Sequence, residues 1–255
     1  EVYARAAGVR GAWDARLEAL VVDALIRGDA DDSLRSRVAA LGWSGHGSAL
    51  VMVGTTSQPL DDVRAADLRR ATRRAADDAL VGIHGDRLVV VIGGEGDLRA
   101  AAGSLLPRFG PGPVVIGPSV PSLDEAGRSA AAALAGLAAA PAWPGAPRPV
   151  LADDLLPERV LVGDLVARRA LVEQAYHPLV AAGGALLDTL AAHVEHGRSL
   201  EAAARVLYVH PNTVRYRLRK VAEVTGWDPL DAREAYVLQT ALALGRLGGA
   251  HAGAL

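Results

Sequence analysis

Apolar residues recur at helical spacing through the first part of the chain. Leu17 and Val21 lie on one face of a run that ends at an Arg-Gly-Asp stretch, and Leu34 and Val38 mark a second, shorter helix. The pattern predicts helices over most of residues 1–42. We interpret this segment as a helical linker that leads into the next domain.

Short β-rich runs alternate with longer amphipathic stretches between residues 43 and 154. A Gly-Asp pair stands between two of these runs and predicts a tight hairpin. The resulting order, βαββαβ, indicates one sheet that is covered by helices. The predicted strands are 48–54, 81–84, 87–93 and 113–117, with an edge strand at 150–152, and the predicted helices are 61–80, 97–109 and 123–140.

From about residue 155 onward, apolar residues return to helical spacing. The predicted helices are 157–163, 164–175, 178–196 and 231–247, with a helix-turn-helix at 199–225. No β-rich run interrupts this part of the sequence. We therefore expect an all-α domain over residues 155–250.

Residues 200–220 have the layout of two short helices that are joined by a tight turn. Ser199 can cap the first helix, and Pro211 fits the first turn of the second helix, where its missing N–H is not needed. Val214 and Leu218 are spaced as a buried stripe, so the polar residues between them face outward. Units of this layout place their second helix in the DNA major groove.

The outward face of this second helix carries the candidate DNA contacts. Between Arg205 and Lys220 the chain has five basic residues and no acidic one. Asn can bind adenine and Arg can bind guanine through paired hydrogen bonds, whereas other cations bind phosphates without reading sequence. We assign base contacts to the N-terminal part of the helix and phosphate contacts to its later cations. The candidate contacts are His210, Asn212, Thr213, Arg215, Tyr216, Arg217, Arg219 and Lys220.

Three of these candidates have a second interpretation. Tyr216 can equally pack on the neighbouring helix, Arg217 can be solvated without touching DNA, and His210 fits a turn position better than a base contact. The local charge is needed in any case, because the whole chain carries a net charge of only −2 and cannot attract DNA by bulk charge.

The sequence around this unit resembles a known family. Residues 199–247, centred on AAARVLYVHPNTVRYRLRKVAEVTGWDP, resemble the C-terminal helix-turn-helix of the PucR/CdaR family of bacterial transcription regulators. The region upstream, with VVIGPSVPSLDEAGRSAAAALAGL, is similar to the GGDEF-like domain that precedes it in many members. Tyr208 departs from the Gly that is common at this turn in other helix-turn-helix units, although an aromatic residue is familiar here in PucR-like proteins.

The resemblance implies the fold class and the function. It implies an α+β chain with a degenerate, non-catalytic, nucleotide-cyclase-like domain (ferredoxin-like βαββαβ) over 43–154 and an all-α DNA-binding domain over 155–250. The segments GAWDARLEALVVDAL and APRPVLADDLLPERVLVGD are most similar to actinobacterial members that activate fatty-acid synthase genes. The implied function is a transcription regulator that binds promoter double-stranded DNA as a homodimer and can contact RNA polymerase.

Two other functions stay open at this stage. The chain can be a PucR-type regulator of another metabolic pathway, or a small-molecule-binding α/β sensor whose helical tail binds proteins. Any small-molecule effector is unknown from the sequence.

A possible enzymatic motif in the middle domain lies at the wrong position for a cyclase. Gly93 to Asp97 resemble a cyclase signature, but the predicted hairpin turn, where a cyclase needs that loop, lies at His84–Arg87. The first strand offers no carboxylate for Mg²⁺. His193 and His196 lie three positions apart, and we interpret them as solvent-facing rather than as metal ligands. We predict no enzymatic activity, no metal and no cofactor.

Composition narrows the remaining classes. The 255 residues include one Phe, one Met and no Cys, so Ala, Leu and Val must build the core and disulfides are excluded. Lys220 is the only lysine, which together with abundant Ala and Gly indicates a GC-rich genome such as that of an actinobacterium. No membrane-spanning run or signal peptide is visible, so we expect a cytoplasmic protein. Because the chain starts at Glu1, we expect a further regulatory domain upstream of it.

Overall fold

The computed structural model describes residues 2–29, 31–56 and 62–252. The chain divides into two compact units, residues 1–158 and 159–255. Among the described residues, no helix is both long enough and apolar enough to cross a membrane.

The first unit alternates strands and helices. Its elements are α1 (Val2–Arg27), α2 (Asp32–Ala40), β1 (Ser48–Thr55), α3 (Asp62–Ala75), β2 (Asp78–His84), β3 (Arg87–Gly94), α4 (Leu98–Leu105), β4 (Val114–Ile116), α5 (Ala126–Ala139) and β5 (Val150–Leu151). The predicted helix 61–80 is wrong at its C-terminal end, because residues from Asp78 onward pair with β3 as an edge strand. The other predicted elements of this unit are present, with ends shifted by a few residues.

The sheet has the strand order β2-β3-β1-β4-β5. The first four strands are antiparallel to their neighbours, with His84 opposite Arg87 at the hairpin, and β5 joins β4 in parallel. This is the predicted ferredoxin-like βαββαβ arrangement with the predicted edge strand added. The sequence prediction of an α+β fold is therefore confirmed.

Helices cover both faces of the sheet, which is why the central strands are apolar along their whole length. In β1, Val51 and Val53 belong to the core that includes α1 and α5, whereas Leu50 and Met52 belong to the core that includes α3 and α4. The glycine in β2, Gly82, leaves room for Val22 of α1, which a Cβ would meet at 2.8 Å. The segment that we interpreted as a linker therefore supplies part of the core of this unit.

A buried ion pair fixes α1 to the sheet edge. The Glu18 carboxylate pairs with Arg69 of α3 and accepts a hydrogen bond of 3.1 Å from the backbone N–H of Val81 on β2. Burial raises the pKa of Glu18, and the Arg69 charge and the hydrogen bonds offset only part of that effect. The side chain thus satisfies an edge-strand N–H that the sheet leaves unpaired.

The second unit is helical. Its elements are α6 (Leu156–Leu161, which begins in the last residues of the first unit), α7 (Leu165–Leu171), a π-helical turn (Val172–Tyr176), α8 (His177–Ala181), α9 (Gly184–Glu195), α10 (Leu200–Val206), α11 (Pro211–Thr225) and α12 (Ala232–Ala252). The prediction of one helix over 178–196 is wrong. The chain breaks at Gly183, whose φ of +106° ends α8 and starts α9 in a new direction.

Candidate nucleic-acid interface

The first helix of the predicted helix-turn-helix is held by its cap and by two small residues. The Ser199 hydroxyl accepts a hydrogen bond of 3.2 Å from the backbone N–H of Ala202, as the sequence predicted. Ala203 and Ala204 are buried, which lets α10 pack closely against α9 and α11. The small residues thus set the distance between the two helices of the unit.

The turn between α10 and α11 is tight. Tyr208 has a φ of +54°, and the backbone N–H of the next residue, Val209, donates to the Ala204 carbonyl at 3.0 Å. His210 follows as the N-cap of α11, where its Nδ1 accepts a hydrogen bond of 3.1 Å from the backbone N–H of Asn212. The imidazole of His210 therefore has a capping role in the free protein, in line with its alternative interpretation as a turn residue.

A buried stripe anchors α11 and fixes which residues face outward. Val214, Leu218 and Val221 are at most 1% exposed. Gly226, with a φ of +81°, ends the helix in the left-handed conformation that only glycine adopts without strain. The remaining side chains of the N-terminal turns are consequently held at fixed positions on the surface.

The two candidate base-reading residues are hydrogen-bonded to each other. Arg215 donates from Nη1 to Oδ1 of Asn212 at 3.0 Å, and both side chains are exposed. The bond uses one lone pair of the amide oxygen, so the second lone pair, the amide NH₂ and the other guanidinium donors remain available. Both residues therefore keep the groups that base recognition requires while they are bonded to each other.

The other candidate residues fall into two environments. Tyr216 is 61% exposed, and Arg219 is also exposed, so both are accessible to DNA. Arg217 instead donates to Oγ1 of Thr189 on α9 at 3.3 Å and is half-buried. Thr213 is likewise half-buried. The structure brings the eight candidates onto one helix and its cap, but it turns Arg217 partly toward the bundle.

Lys220 stands at the later part of the same helix. Its ammonium pairs with Glu223 one turn further on, which raises the pKa of Lys220 and keeps it protonated. A phosphate can replace Glu223 as its partner, since this pair is exposed to solvent. The assignment of Lys220 to a phosphate contact is compatible with this geometry and stays a prediction.

Sequence reasoning left Tyr208 out of the candidate set. Its side chain is 95% exposed, the largest exposed fraction among the large hydrophobic side chains that the structure describes. A tyrosine in the left-handed region is strained, and its exposed side chain gains little packing that would offset this strain. The departure from glycine at this turn was the signal that could have identified it.

The interpretation of His193 as solvent-facing is wrong. His193 is 1% exposed, and among the residues that the structure describes neither ring nitrogen has a hydrogen-bond partner. Burial, together with the Arg198 charge, lowers the pKa of His193, and the nearby Pro229 carbonyl offsets only part of this shift. The ring is therefore neutral and packs as part of the core of the second unit. His196 is exposed, as expected, and its Nδ1 lies 2.9 Å from the Ala192 carbonyl.

In the first unit, the cyclase-like glycines have packing roles. A Cβ on Gly93 would meet the Trp43 ring at 2.5 Å, and a Cβ on Gly94 would meet the Asp77 carboxylate at 2.5 Å. Asp97 caps α4 and accepts hydrogen bonds from the backbone N–H groups of the first turn, at 3.0 and 3.1 Å. The residues that resemble a catalytic loop thus end a strand and start a helix.

Comparisons with known proteins agree with this architecture. The PucR C-terminal helix-turn-helix domain family matches residues 186–244, and the GGDEF-like domain family matches residues 27–139. A solved structure, a regulator of polyketide synthase expression from Bifidobacterium adolescentis, superposes with a TM-score of 0.80 at 34% sequence identity. It covers 91% of this chain, and this chain covers 93% of it.

Curated relatives come from mycobacteria. Uncharacterized proteins from Mycobacterium bovis and from Mycobacterium tuberculosis are 46% identical to the chain over 254 residues. The alignment covers 96% of this chain and 61% of each relative. The chain therefore spans about three fifths of the length of the curated relatives that it matches.

Proposed function

The chain belongs to the PucR family of transcription regulators, and from that premise we propose that it activates fatty-acid biosynthesis genes by binding their promoters as a dimer. The family and the structural neighbour support a DNA-binding transcription regulator rather than an enzyme. The identity of the target genes and the binding of DNA as a dimer are the parts that we propose. We place its action in the cytoplasm, where a bacterial promoter lies.

The arrangement of α11 is the observation that carries this proposal. Three buried residues hold the helix, and its first turns present Asn212, Arg215 and Tyr216 to solvent. A recognition helix of this kind reads base edges with its N-terminal residues and phosphates with its flanking cations. An ordinary solvated helix face does not need a strained, exposed aromatic residue at its entrance.

The proposal of a dimer follows from the size of the reading surface. One helix contacts only a few base pairs, which is too little to single out a promoter in a genome. Two copies that place their recognition helices about 34 Å apart read two half-sites on one face of the duplex. The expected operator is therefore a two-fold symmetric sequence.

The proposed target genes rest on similarity to other proteins. The neighbour from Bifidobacterium adolescentis is described as a regulator of polyketide synthase expression. Polyketide synthases and fatty-acid synthases extend acyl chains by the same condensation chemistry. This shared chemistry supports fatty-acid biosynthesis genes as the targets of a related regulator. A PucR-type regulator of a different pathway is the alternative.

Selection of fragmented genomic DNA by the purified chain at physiological salt tests this proposal. The expected result is enrichment of a compact, two-fold symmetric motif upstream of fatty-acid biosynthesis genes. A symmetric motif upstream of other genes would keep the regulator and reject the fatty-acid assignment. Fragments bound without any common motif would contradict sequence-specific recognition by α11.

A further inference from the structure

The corner between α6 and α7 exposes an unusual run of aliphatic side chains. Leu161, Val162, Leu165 and Val166 are 67%, 53%, 72% and 67% exposed, all within six consecutive positions. We call these four residues the aliphatic edge. Isolated exposed hydrophobic residues are ordinary, but a contiguous group of this kind marks a surface that binds another molecule.

An open groove begins at the same corner. It has a volume of about 700 Å³ and runs between the π-helical turn and α8 on one side and α12 on the other. Its apolar lining includes Leu165 of the aliphatic edge, together with Val172, Tyr176, Val180 and Leu244. The edge and the groove are therefore one continuous surface of the second unit.

A glycine shapes the floor of this groove. Gly245 of α12 faces the Tyr176 ring, which a Cβ at this position would meet at 2.2 Å. Any other residue at this position would displace the ring, so the close approach of Tyr176 to α12 requires this glycine. The π-helical turn that carries Tyr176 is a kind of irregularity that is frequent at functional sites.

Opposite charges lie side by side on the rim. Arg168, Arg169 and Glu173 line the groove, and all three are exposed. Within the part of the chain that the structure describes, none of the three forms an ion pair. The rim thus offers both a cationic and an anionic site to whatever covers the groove.

We propose that the aliphatic edge and the groove together form a two-fold symmetric interface with a second copy of this chain. A two-fold interface uses the same patch on both partners, so the patch must complement itself. This patch carries protruding aliphatic side chains beside an apolar groove, and arginines beside a glutamate. Each copy inserts its aliphatic edge into the groove of the other, and its Glu173 faces the arginines of the other copy.

The proposal rests on the proposed function in one respect. A dimer through this surface joins two copies of the unit that carries α11, which is what recognition of a symmetric operator requires. A small apolar anion fits the groove less well, because it would leave the aliphatic edge exposed beside it. Binding of such an anion in the groove by protein that stays monomeric would overturn the proposal.

Sedimentation of the purified chain over a range of concentrations tests the interface. The variant Leu165→Glu with Val166→Glu should weaken the dimer at least 100-fold, because it places charges against the partner's apolar groove. Val63→Glu is the matched control, since Val63 is 75% exposed and lies in the first unit, and it should leave the dimer unchanged. Circular dichroism confirms that the variants are folded.

A charge exchange provides a second test that a folding defect cannot imitate. Chains with Arg168→Glu and Arg169→Glu should not pair with themselves, and neither should chains with Glu173→Arg, because like charges meet across the two-fold axis. A mixture of the two variants should form heterodimers, since each anionic rim then meets a cationic one. Absence of heterodimers, or a wild-type dimer that survives Leu165→Glu with Val166→Glu, would overturn the proposal.

The interface and the proposed function can fail separately. If the charge-exchanged chains pair but no symmetric DNA motif is enriched, the interface stands and the DNA-binding proposal fails. If a motif is enriched while the chain stays monomeric at the highest concentration studied, the interface is rejected.

Discussion

Two turns of the molecule use the same backbone conformation with opposite residue choices. The β2–β3 hairpin turn has Gly85 at a φ of +64°, and the turn between α10 and α11 has Tyr208 at a φ of +54°. Glycine adopts this conformation freely, whereas a residue with a Cβ loses about 1–2 kcal/mol. The hairpin turn therefore has glycine, the residue with the least strain at this φ, whereas the helix-turn-helix has a strained tyrosine.

The difference indicates where function lies. In the first unit, several glycines stand where the backbone or a close neighbour requires them, as Gly93 does beneath the Trp43 ring. In the second unit, the two non-glycine residues with positive φ among those described are Arg198 and Tyr208, which flank α10 at either end. Among the described residues of the first unit, no residue other than glycine has a positive φ. Strained residues cluster at binding sites, so this difference supports the proposed binding role of the helix-turn-helix.

The largest expected effect is the loss of base reading. Asn212→Ala with Arg215→Ala should reduce the preference for the operator over random DNA by about 100-fold or more, since each paired contact with a base contributes about 1–3 kcal/mol. Fluorescence anisotropy with both DNAs measures this ratio. An Asp86→Ala variant at the hairpin turn is the control and should behave as wild type. Equal losses on both DNAs would remove the base-reading role.

Exchanging the residues of the two turns sharpens the comparison. Tyr208→Gly should raise the free energy of unfolding by about 1 kcal/mol through relief of strain, yet weaken DNA binding about tenfold. Gly85→Tyr should lower the free energy of unfolding by a similar amount and leave DNA binding unchanged. Denaturant titrations and anisotropy measure the two quantities separately. Unchanged DNA affinity for Tyr208→Gly would mean that the exposed tyrosine has no role in binding.

The phosphate-binding assignment predicts a smaller and uniform effect. Lys220→Ala should weaken binding to operator and random DNA by the same few-fold factor, and it should reduce the slope of log K against log salt by about 1. Affinity measured at several salt concentrations gives that slope. A selective loss on the operator would instead assign Lys220 to a base contact.

The two units also differ in their buried ionisable groups, which predicts opposite responses to pH. Burial raises the pKa of Glu18, so its contribution to stability is present below its ordinary pKa and is lost as the pH rises through the raised value. Burial lowers the pKa of His193, so its contribution is present above about pH 6.5 and is lost as the pH falls through the lowered value. When the pH is lowered from 7 to 5, hydrogen exchange measured for each unit should show that the second unit becomes less stable.

A matched variant tests this assignment. His193→Phe keeps an aromatic ring in the core and removes the titration, so the second unit should lose the part of its acid sensitivity that begins below about pH 6.5. An unchanged pH profile would contradict the role of His193.

Much of the fold follows from local pattern. The alternation of apolar runs with amphipathic stretches identified the strands, because strands covered on both faces must be apolar throughout. The end of α3 was missed, since Asp78 looks like a helix residue until its pairing with Gly93 is known. The break at Gly183 had a local signal, since a Gly-Gly pair favours the end of a helix. The burial of His193 depends instead on how helices pack against one another, which spacing along a single helix does not record.

The candidate site divides in the same way. The buried stripe of α11 and the Ser199 cap of α10 were predictable, because each depends on residues only a few positions apart, whereas His210 and Gly226 were not identified as the caps of α11. The turn of Arg217 toward Thr189 was not, since Thr189 lies on another helix. The strain at Tyr208 is a property of backbone dihedrals, and the only sign of it in the sequence was the absence of the usual glycine.

The most direct test of the central claim is a DNA selection carried out in parallel with the wild-type chain and with Asn212→Ala. If the N-terminal turns of α11 read bases, both proteins should enrich the same two-fold motif, and the variant should lose sequence preference at one position in each half-site while the rest of the motif persists. Identical motifs from the two proteins would contradict base reading by Asn212, and two chains that enrich no motif would contradict the account of α11 as a recognition helix.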